Sequence, residues 1–138
     1  LGLMSQLVYI LIGLVGIPIF AHGGGPAYVF NPTFGYLIGF AIGAYVIGKI
    51  IENTDTKFSN LLIANLAGLI VFYLFGVAHL YLIMNFYLAK TYAITKAIWG
   101  GFLIFLPWDL VKAILASLIA PKIINNVNTA VPIANTKN

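Results

Sequence analysis

Long, largely uncharged stretches alternate with short polar connectors along this chain. A helix needs about 20 mostly apolar residues to cross a membrane, and four stretches approach or exceed that length. We predict membrane-spanning helices at about Leu1–Ala21, Thr33–Ile51, Leu61–Asn85 and Ala97–Ile124. The pattern therefore predicts an all-α membrane protein with four transmembrane helices visible in this sequence.

Three connectors separate these stretches, and each carries turn-forming or polar residues. His22–Pro32 contains a glycine run, Glu52–Lys57 is short and polar, and Tyr87–Lys96 is mixed in character. The end of the chain is rich in Asn. We therefore predict a single transmembrane domain over residues 1–124 and a flexible tail over residues 125–138.

The lysines predict an orientation in the membrane. With four spans, the second connector, Glu52–Lys57 with its flanks (residues 49–60), lies on the same side as the tail. The two other connectors lie on the opposite side. Positive residues accumulate on the cytoplasmic side. The side of the tail carries four lysines and the glycine side two, namely Lys49, Lys57, Lys122 and Lys137 against Lys90 and Lys96. We expect a cytoplasmic tail and an external glycine connector in the cell membrane.

Composition agrees with a bilayer environment. The 138 residues are 62% hydrophobic and only 7% charged, whereas about a quarter of the residues in a soluble domain are charged. Seven basic residues, all lysine, outnumber three acids. This surplus suits anionic lipid headgroups better than nucleic acid, since arginine forks and a basic stripe are missing. Cysteine is absent, so the chain contains no disulfides or thiolate metal sites.

Asp109 and Lys112 are the strongest candidates for function, because they lie inside the last predicted span. A charge at membrane depth costs about 2.5–3.5 kcal/mol or more and marks a functional site by default. Residues three apart share one face of a helix. We expect Pro107 and Trp108 to begin this helix, which would place the pair in its first turn on the external side. The alternative is that the two charges only neutralise each other, or that Lys112 reaches the headgroups.

The run Gly23, Gly24 and Gly25 has two possible roles. Glycines let the backbone approach a ligand closely, so the run can be a lid over an external pocket, or it can be a flexible hairpin only. The run lacks the Lys-Ser/Thr ending of a phosphate-binding loop. The mid-span His79 can bond a ligand or a neighbouring helix. The spacing Gly35, Gly39, Gly43 permits close contact between helices.

Catalytic and metal-binding patterns are missing from the sequence. Neither a nucleophile elbow nor a carboxylate pair near Asp109 is present. The two histidines and three carboxylates do not have the spacing of a metal site. We therefore expect neither an enzyme nor a metal site.

Two blocks of the sequence resemble the BioY family, the biotin-specific substrate-capture subunits. The first block combines Gly13–Ala21, the glycine run and Asn31–Phe40. In the second, Pro107-Trp-Asp109-Leu-Val-Lys112 is similar to that family's Pro-Gly-Asp-x-x-Lys stretch. The resemblance covers most of Leu1–Pro121.

The resemblance implies a fold and a set of partners. BioY proteins are S components of energy-coupling factor (ECF) transporters, with six membrane helices and an external biotin pocket. The four spans here would be the third to sixth helices, and we expect the chain to be the latter part of a longer protein. The family works with a transmembrane coupling subunit and two ATPase subunits. Biotin would be the transported ligand, and no cofactor is expected.

The same resemblance assigns the site. Asp109, Lys112 and Gly23–Gly25 would line the pocket, and the ureido group and carboxylate of biotin offer partners for the two charges. Tyr36 and Trp108, near the external ends, and His79 are the further candidates for ligand contact. Two alternatives stay open at this point: a purely structural membrane subunit, and an S component for a different vitamin.

Overall fold

The computed structural model describes residues 1–130, and helices dominate this part of the chain. Its α-helices are α1 (Gly2–Val15), α2 (Phe34–Glu52), α3 (Phe58–Leu82), α4 (Ile94–Ile98) and α5 (Leu106–Ala130). A 3₁₀ turn covers Pro26–Phe30, and π-helical turns cover Ile83–Tyr87 and Trp99–Leu103. The predicted all-α fold class is confirmed.

Within residues 1–130, three helical runs are long and apolar enough to cross a membrane. They are Phe34–Glu52, Phe58–Tyr87 and Ile94–Ile124, with 19, 30 and 31 residues. Each coincides with a predicted span to within a few residues. The first predicted span differs, because α1 ends at Val15 after 14 residues. Gly16 then takes a φ of 121°, which is outside the helical region, and Pro18 follows two residues later.

Glycines bring α2 and α3 into close contact, as their spacing predicts. A Cβ added at Gly39 would lie 2.7 Å from the Phe72 carbonyl oxygen, and one at Gly43 would lie 3.0 Å from the Gly68 oxygen. The hydrogen atom of a glycine fits between the two helices at these positions, whereas a methyl group would be too close to the opposite backbone. Helices with small residues at their interface associate through van der Waals packing, which matters in lipid because the hydrophobic effect does not drive association there.

The glycine connector folds against the end of α1. The Gly25 amide donates a hydrogen bond to the Gly13 carbonyl over 2.8 Å. Phe20, Tyr28 and Phe34 form a small buried cluster beside it. Phe30 also stacks on Tyr87, with ring centroids 4.6 Å apart. The connectors that contain Phe30 and Tyr87 therefore lie at the same end of the bundle, as predicted from the number of spans.

Helical structure in the last span begins well before Pro107, where the sequence predicts the helix to start. Asp109 does lie in the first turn of α5, but α4 and the π-helical turn Trp99–Leu103 continue the helical path before it. Asp109 is consequently near the middle of the run Ile94–Ile124, not at one of its ends. Pro107 is tolerated because the first turn of a helix needs no amide donor at that position.

The first part of the predicted flexible tail is helical. The helix α5 continues to Ala130, so residues 125–130 are helical in the structure. Residues 131–138 lie outside the described part of the chain. The same helix includes Pro121.

Candidate functional site

A cavity of about 900 Å³ lies between α1, α2, α3 and α5 and is bordered by the glycine connector and by Tyr92. Its volume is within the range of small-molecule sites, about 300–1,000 Å³. Apolar and aromatic side chains form most of the wall. Polar side chains interrupt it at ten positions: Gln6, Tyr9, Tyr28, Thr33, Tyr36, Asn65, Tyr73, Tyr92, Asp109 and Lys112.

Asp109 presents its carboxylate to this cavity and has two partners. The Tyr73 hydroxyl, from α3, donates a hydrogen bond to Asp109 Oδ2. The Lys112 ammonium forms an ion pair with Asp109 Oδ1 from one turn along the same helix. The Asp109 side chain is only 12% exposed, whereas that of Lys112 is 72% exposed. The charge of the carboxylate is therefore compensated, as a charge at this depth requires.

Tyr36 is held on the wall of the same cavity. Its hydroxyl donates to the Gly101 carbonyl over 2.7 Å, so α2 is tied to the π-helical turn before α5. The absence of side chains at Gly76 and Gly101 leaves the space that the Tyr36 ring and hydroxyl occupy. Together, Asp109, Lys112 and Tyr36 are the predicted site residues that the structure brings into one cavity.

The other predicted site residues lie elsewhere. Trp108 is 73% exposed and does not line the cavity. His79 Nε2 lies 3.2 Å from the Asn31 carbonyl oxygen, and its ring packs edge-on against Phe34. His79 therefore joins α3 to the glycine connector, which is the structural alternative considered from the sequence.

The glycines Gly23, Gly24 and Gly25 shape the connector without lining the cavity. Gly23 and Gly25 have φ values of 113° and 105°, in the region that favours glycine. Gly24 has another constraint, since a Cβ there would lie 2.8 Å from the Gly13 carbonyl oxygen. The connector reaches the cavity through Tyr28, a buried side chain of its 3₁₀ turn.

Sequence reasoning missed Tyr73, Tyr92 and Asn65. Asn65 donates to Ser117 Oγ over 2.9 Å and so joins α3 to α5. Tyr92 is positioned by Asn85, which accepts from the Tyr92 amide at 3.1 Å and donates to the Tyr92 carbonyl at 2.9 Å. The amide of Asn65 inside a predicted span was the available signal for that residue, because such polar groups form hydrogen bonds with neighbouring helices.

The arrangement suits a ligand that is mostly apolar and carries a compact polar group. The aromatic walls can enclose rings, while Asp109 accepts and Lys112 and the phenols donate hydrogen bonds. Within residues 1–130, three or more His, Cys, Asp or Glu side chains nowhere come together in a group that could hold a metal ion.

Comparisons with known proteins agree with the resemblance. The sequence profile of the BioY family matches residues 1–129. A probable biotin transporter BioY of Lysinibacillus sphaericus is 42% identical over 123 residues, which cover 88% of this chain and 63% of that protein. The biotin transporter BioY of Thermotoga maritima is 40% identical over 120 residues, covering 86% and 66%. This chain thus spans just under two thirds of the length of these two relatives.

A solved structure has the same fold. The crystal structure of the S-component for biotin from an ECF-type ABC transporter superposes with a TM-score of 0.71 at 25% identity, covering 89% of this chain and 65% of that one. The profile match extends over nearly the whole sequence, and the two relatives are well above 30% identity. This chain belongs to the BioY family.

Proposed function

We propose that this protein is a membrane-embedded biotin-binding subunit, the substrate-capture component of an ATP-driven vitamin uptake transporter. The observation that carries the proposal is the Asp109 carboxylate, which faces an apolar cavity in a membrane span and is paired with Lys112. An ionisable group at that depth is costly and is a functional-site hypothesis by default.

The chemistry of biotin suits this cavity. Its ureido ring has two N–H donors and a carbonyl acceptor, its bicyclic body and valeryl chain are apolar, and its chain ends in a carboxylate. Asp109 can accept from a ureido N–H, and Lys112 can donate to the ureido oxygen or pair with the carboxylate. Tyr36 and its aromatic neighbours would enclose the rings, in keeping with pockets that are mostly apolar with few polar groups.

The glycine connector would cover the ligand. Gly23 and Gly25 allow the chain to turn back on α1, and the turn places Tyr28 on the cavity wall. In this proposal the connector is a lid, and its glycines act through its shape and not through direct ligand contacts.

The partners proposed for this subunit are a transmembrane coupling protein and two ATPases of an ECF complex. The sequence contains no phosphate-binding loop, so ATP would be hydrolysed by those partners. As a member of the BioY family, this chain would be a transport component and not an enzyme. The proposed location is the cell membrane, with the tail in the cytoplasm because the lysines are more numerous on its side.

Ligand binding by the purified protein in detergent or nanodiscs tests the proposal. Micromolar biotin should raise the melting temperature, since a ligand that binds only the folded state stabilises it, and calorimetry should show saturable binding. Thiamine and riboflavin are the control ligands, because a different vitamin specificity would appear as a shift with one of them. Absence of any shift with all three would leave a structural membrane subunit as the better description.

A further inference from the structure

The two oxygens of Asp109 have partners of very different character. Oδ2 accepts from the Tyr73 hydroxyl, and Oδ1 pairs with the Lys112 ammonium. The two contacts come from different elements, since Tyr73 belongs to α3 whereas Lys112 belongs to α5 itself. A carboxylate that is held on one oxygen from across a helix interface has a fixed orientation.

Tyr73 is the immobile partner. It is only 5% exposed, and its ring packs edge-to-face against Phe72 and Phe102 with centroids 4.9 and 4.7 Å apart. Aromatic pairs with this geometry are favourable, so the phenol has little freedom to swing away. Its hydroxyl donates to a carboxylate, and hydrogen bonds to charged acceptors are stronger than those between neutral groups.

Lys112 is the mobile partner. Its side chain is 72% exposed and consists of a flexible four-carbon stem that carries a compact charge. The Tyr73 ring lacks this freedom, because two aromatic rings pack against it. A ligand that enters the cavity can therefore take the place of the ammonium at Oδ1 more easily than that of the phenol at Oδ2.

We propose that Tyr73 is a positioning residue for ligand capture: its hydroxyl holds Asp109 Oδ2 in both the empty and the occupied protein and leaves Oδ1 as the acceptor that passes from Lys112 to the ligand. This inference rests on the proposed function, because it concerns the same site. Asp109 then offers one acceptor atom to the ligand, which selects for a donor in one fixed direction.

The Tyr73 bond has a larger effect when the cavity is occupied. In the empty cavity, water can satisfy Oδ2 if the hydroxyl is removed. A bound ligand displaces that water, and a carboxylate oxygen buried without a donor is costly. Removal of the hydroxyl should therefore weaken binding more than it affects folding.

The test is Tyr73→Phe, which removes the hydroxyl and keeps the ring between its aromatic neighbours. Calorimetry with biotin, or competition against labelled biotin where affinity is low, measures Kd for four proteins: wild type, Tyr73→Phe, Asp109→Asn and the double variant. We expect Tyr73→Phe to weaken binding about tenfold in the wild-type background and less than about twofold when Asp109 is already Asn, because coupled residues are not additive. Tyr45→Phe, on α2 outside the cavity, is the matched control and should leave Kd unchanged.

Three outcomes of this experiment would overturn the inference about Tyr73, and a fourth would contradict the proposed function. Equal losses in both backgrounds, or no loss in either, would overturn the inference, as would a Tyr73→Phe protein that no longer folds, since that result assigns Tyr73 a structural role only. A wild-type protein that fails to bind biotin contradicts the proposed function instead. The two failures are therefore distinguishable.

Discussion

The Asn65 amide donates a hydrogen bond to Ser117 Oγ over 2.9 Å, which joins α3 to α5 at the wall of the cavity. Ser117 is fully buried and itself donates to the Ala113 carbonyl over 2.7 Å. The pair lies eight residues along each helix from Tyr73 and Asp109, about 12 Å at 1.5 Å per residue. The same two helices are thus joined by polar contacts at two depths.

Ser117→Ala should destabilise the protein modestly. Hydrogen bonds between membrane helices contribute about 0.6 kcal/mol on average and up to about 1.7 kcal/mol, so we expect a loss of about 1 kcal/mol in the free energy of unfolding. Titration with denaturing detergent measures it. Ser59→Ala, at an exposed position of α3, is the control and should change stability by less than about 0.5 kcal/mol. An equal effect of both changes would show that the contact between α3 and α5 is not stabilising.

Gly39→Ala tests the packing of α2 on α3. The new methyl group would lie 2.7 Å from the Phe72 carbonyl oxygen and 2.9 Å from its Cα, and backbone atoms cannot rotate away as a side chain can. Overpacking of this kind costs about 1–3 kcal/mol. The melting temperature of the purified protein should fall accordingly.

Gly48→Ala is the matched control on the same helix. A Cβ at Gly48 meets nothing within 4 Å, and Ala is a better helix former than Gly by about 1 kcal/mol. We therefore expect this protein to melt at the wild-type temperature or above it. Similar losses at both positions would contradict the close glycine contact.

The sequence predicts three of the four spans and the charged pair well, because both follow from the cost of placing charge in lipid. That cost does not identify Tyr73, because a tyrosine in an apolar span has the same pattern whether it faces lipid or a carboxylate. Its contact with Asp109 depends on how α3 and α5 pack, which the chain does not encode locally. For the same reason, the sequence did not reveal that Trp108, next to Asp109, is exposed and away from the cavity.

The glycine connector illustrates the same limit at the level of the backbone. A run of three glycines predicts a turn, but only the structure distinguishes positive φ at Gly23 and Gly25 from close contact with α1 at Gly24. Gly24→Val should therefore displace the connector, because its side chain would collide with the Gly13 carbonyl. Since Tyr28 moves with the connector, we expect faster biotin release in stopped-flow measurements.

Ala27→Val is the control for that experiment, since it adds bulk to the same connector at an exposed position. Its release rate should equal that of the wild type. Unchanged release in Gly24→Val, with intact helices by circular dichroism, would indicate that the connector is a hairpin only and does not cover the ligand.

Asp109→Asn should weaken biotin binding at least about 30-fold. The amide keeps one acceptor oxygen and replaces the other with an NH₂ donor, whereas the Tyr73 hydroxyl needs one oxygen and the Lys112 ammonium or a ureido N–H needs the other. Loss of one partner from a buried charged hydrogen bond costs about 2–5 kcal/mol, and about 1.4 kcal/mol corresponds to tenfold in Kd. Calorimetry measures the change, and Asp55→Asn, an exposed carboxylate in the connector between α2 and α3, should bind like the wild type. Unchanged affinity in a folded Asp109→Asn protein would remove Asp109 from the site.

Lys112→Gln tests which group of the ligand the Lys112 ammonium binds. In the empty protein Lys112 pairs with Asp109 Oδ1, so both side chains converge on one point of the cavity. A small ring with adjacent donor and acceptor groups, such as the ureido group, matches that convergence better than a carboxylate at the end of a flexible chain. We expect Lys112→Gln to weaken biotin in either case, because Asp109 would lose its compensating charge.

Biotin methyl ester separates the two possibilities, since it keeps the ureido ring and removes the negative charge of the carboxylate. If Lys112 serves the ureido group, Lys112→Gln should cost the acid and the ester similar free energies. If it pairs with the carboxylate, the ester should bind the wild type poorly and lose little more on mutation. Two ligands and two proteins form a cycle whose coupling energy isolates the pairing. A coupling energy well above about 1 kcal/mol between Lys112 and the carboxylate of biotin would overturn the ureido assignment. The ammonium would then bind the end of the valeryl chain and not the ureido ring beside Asp109.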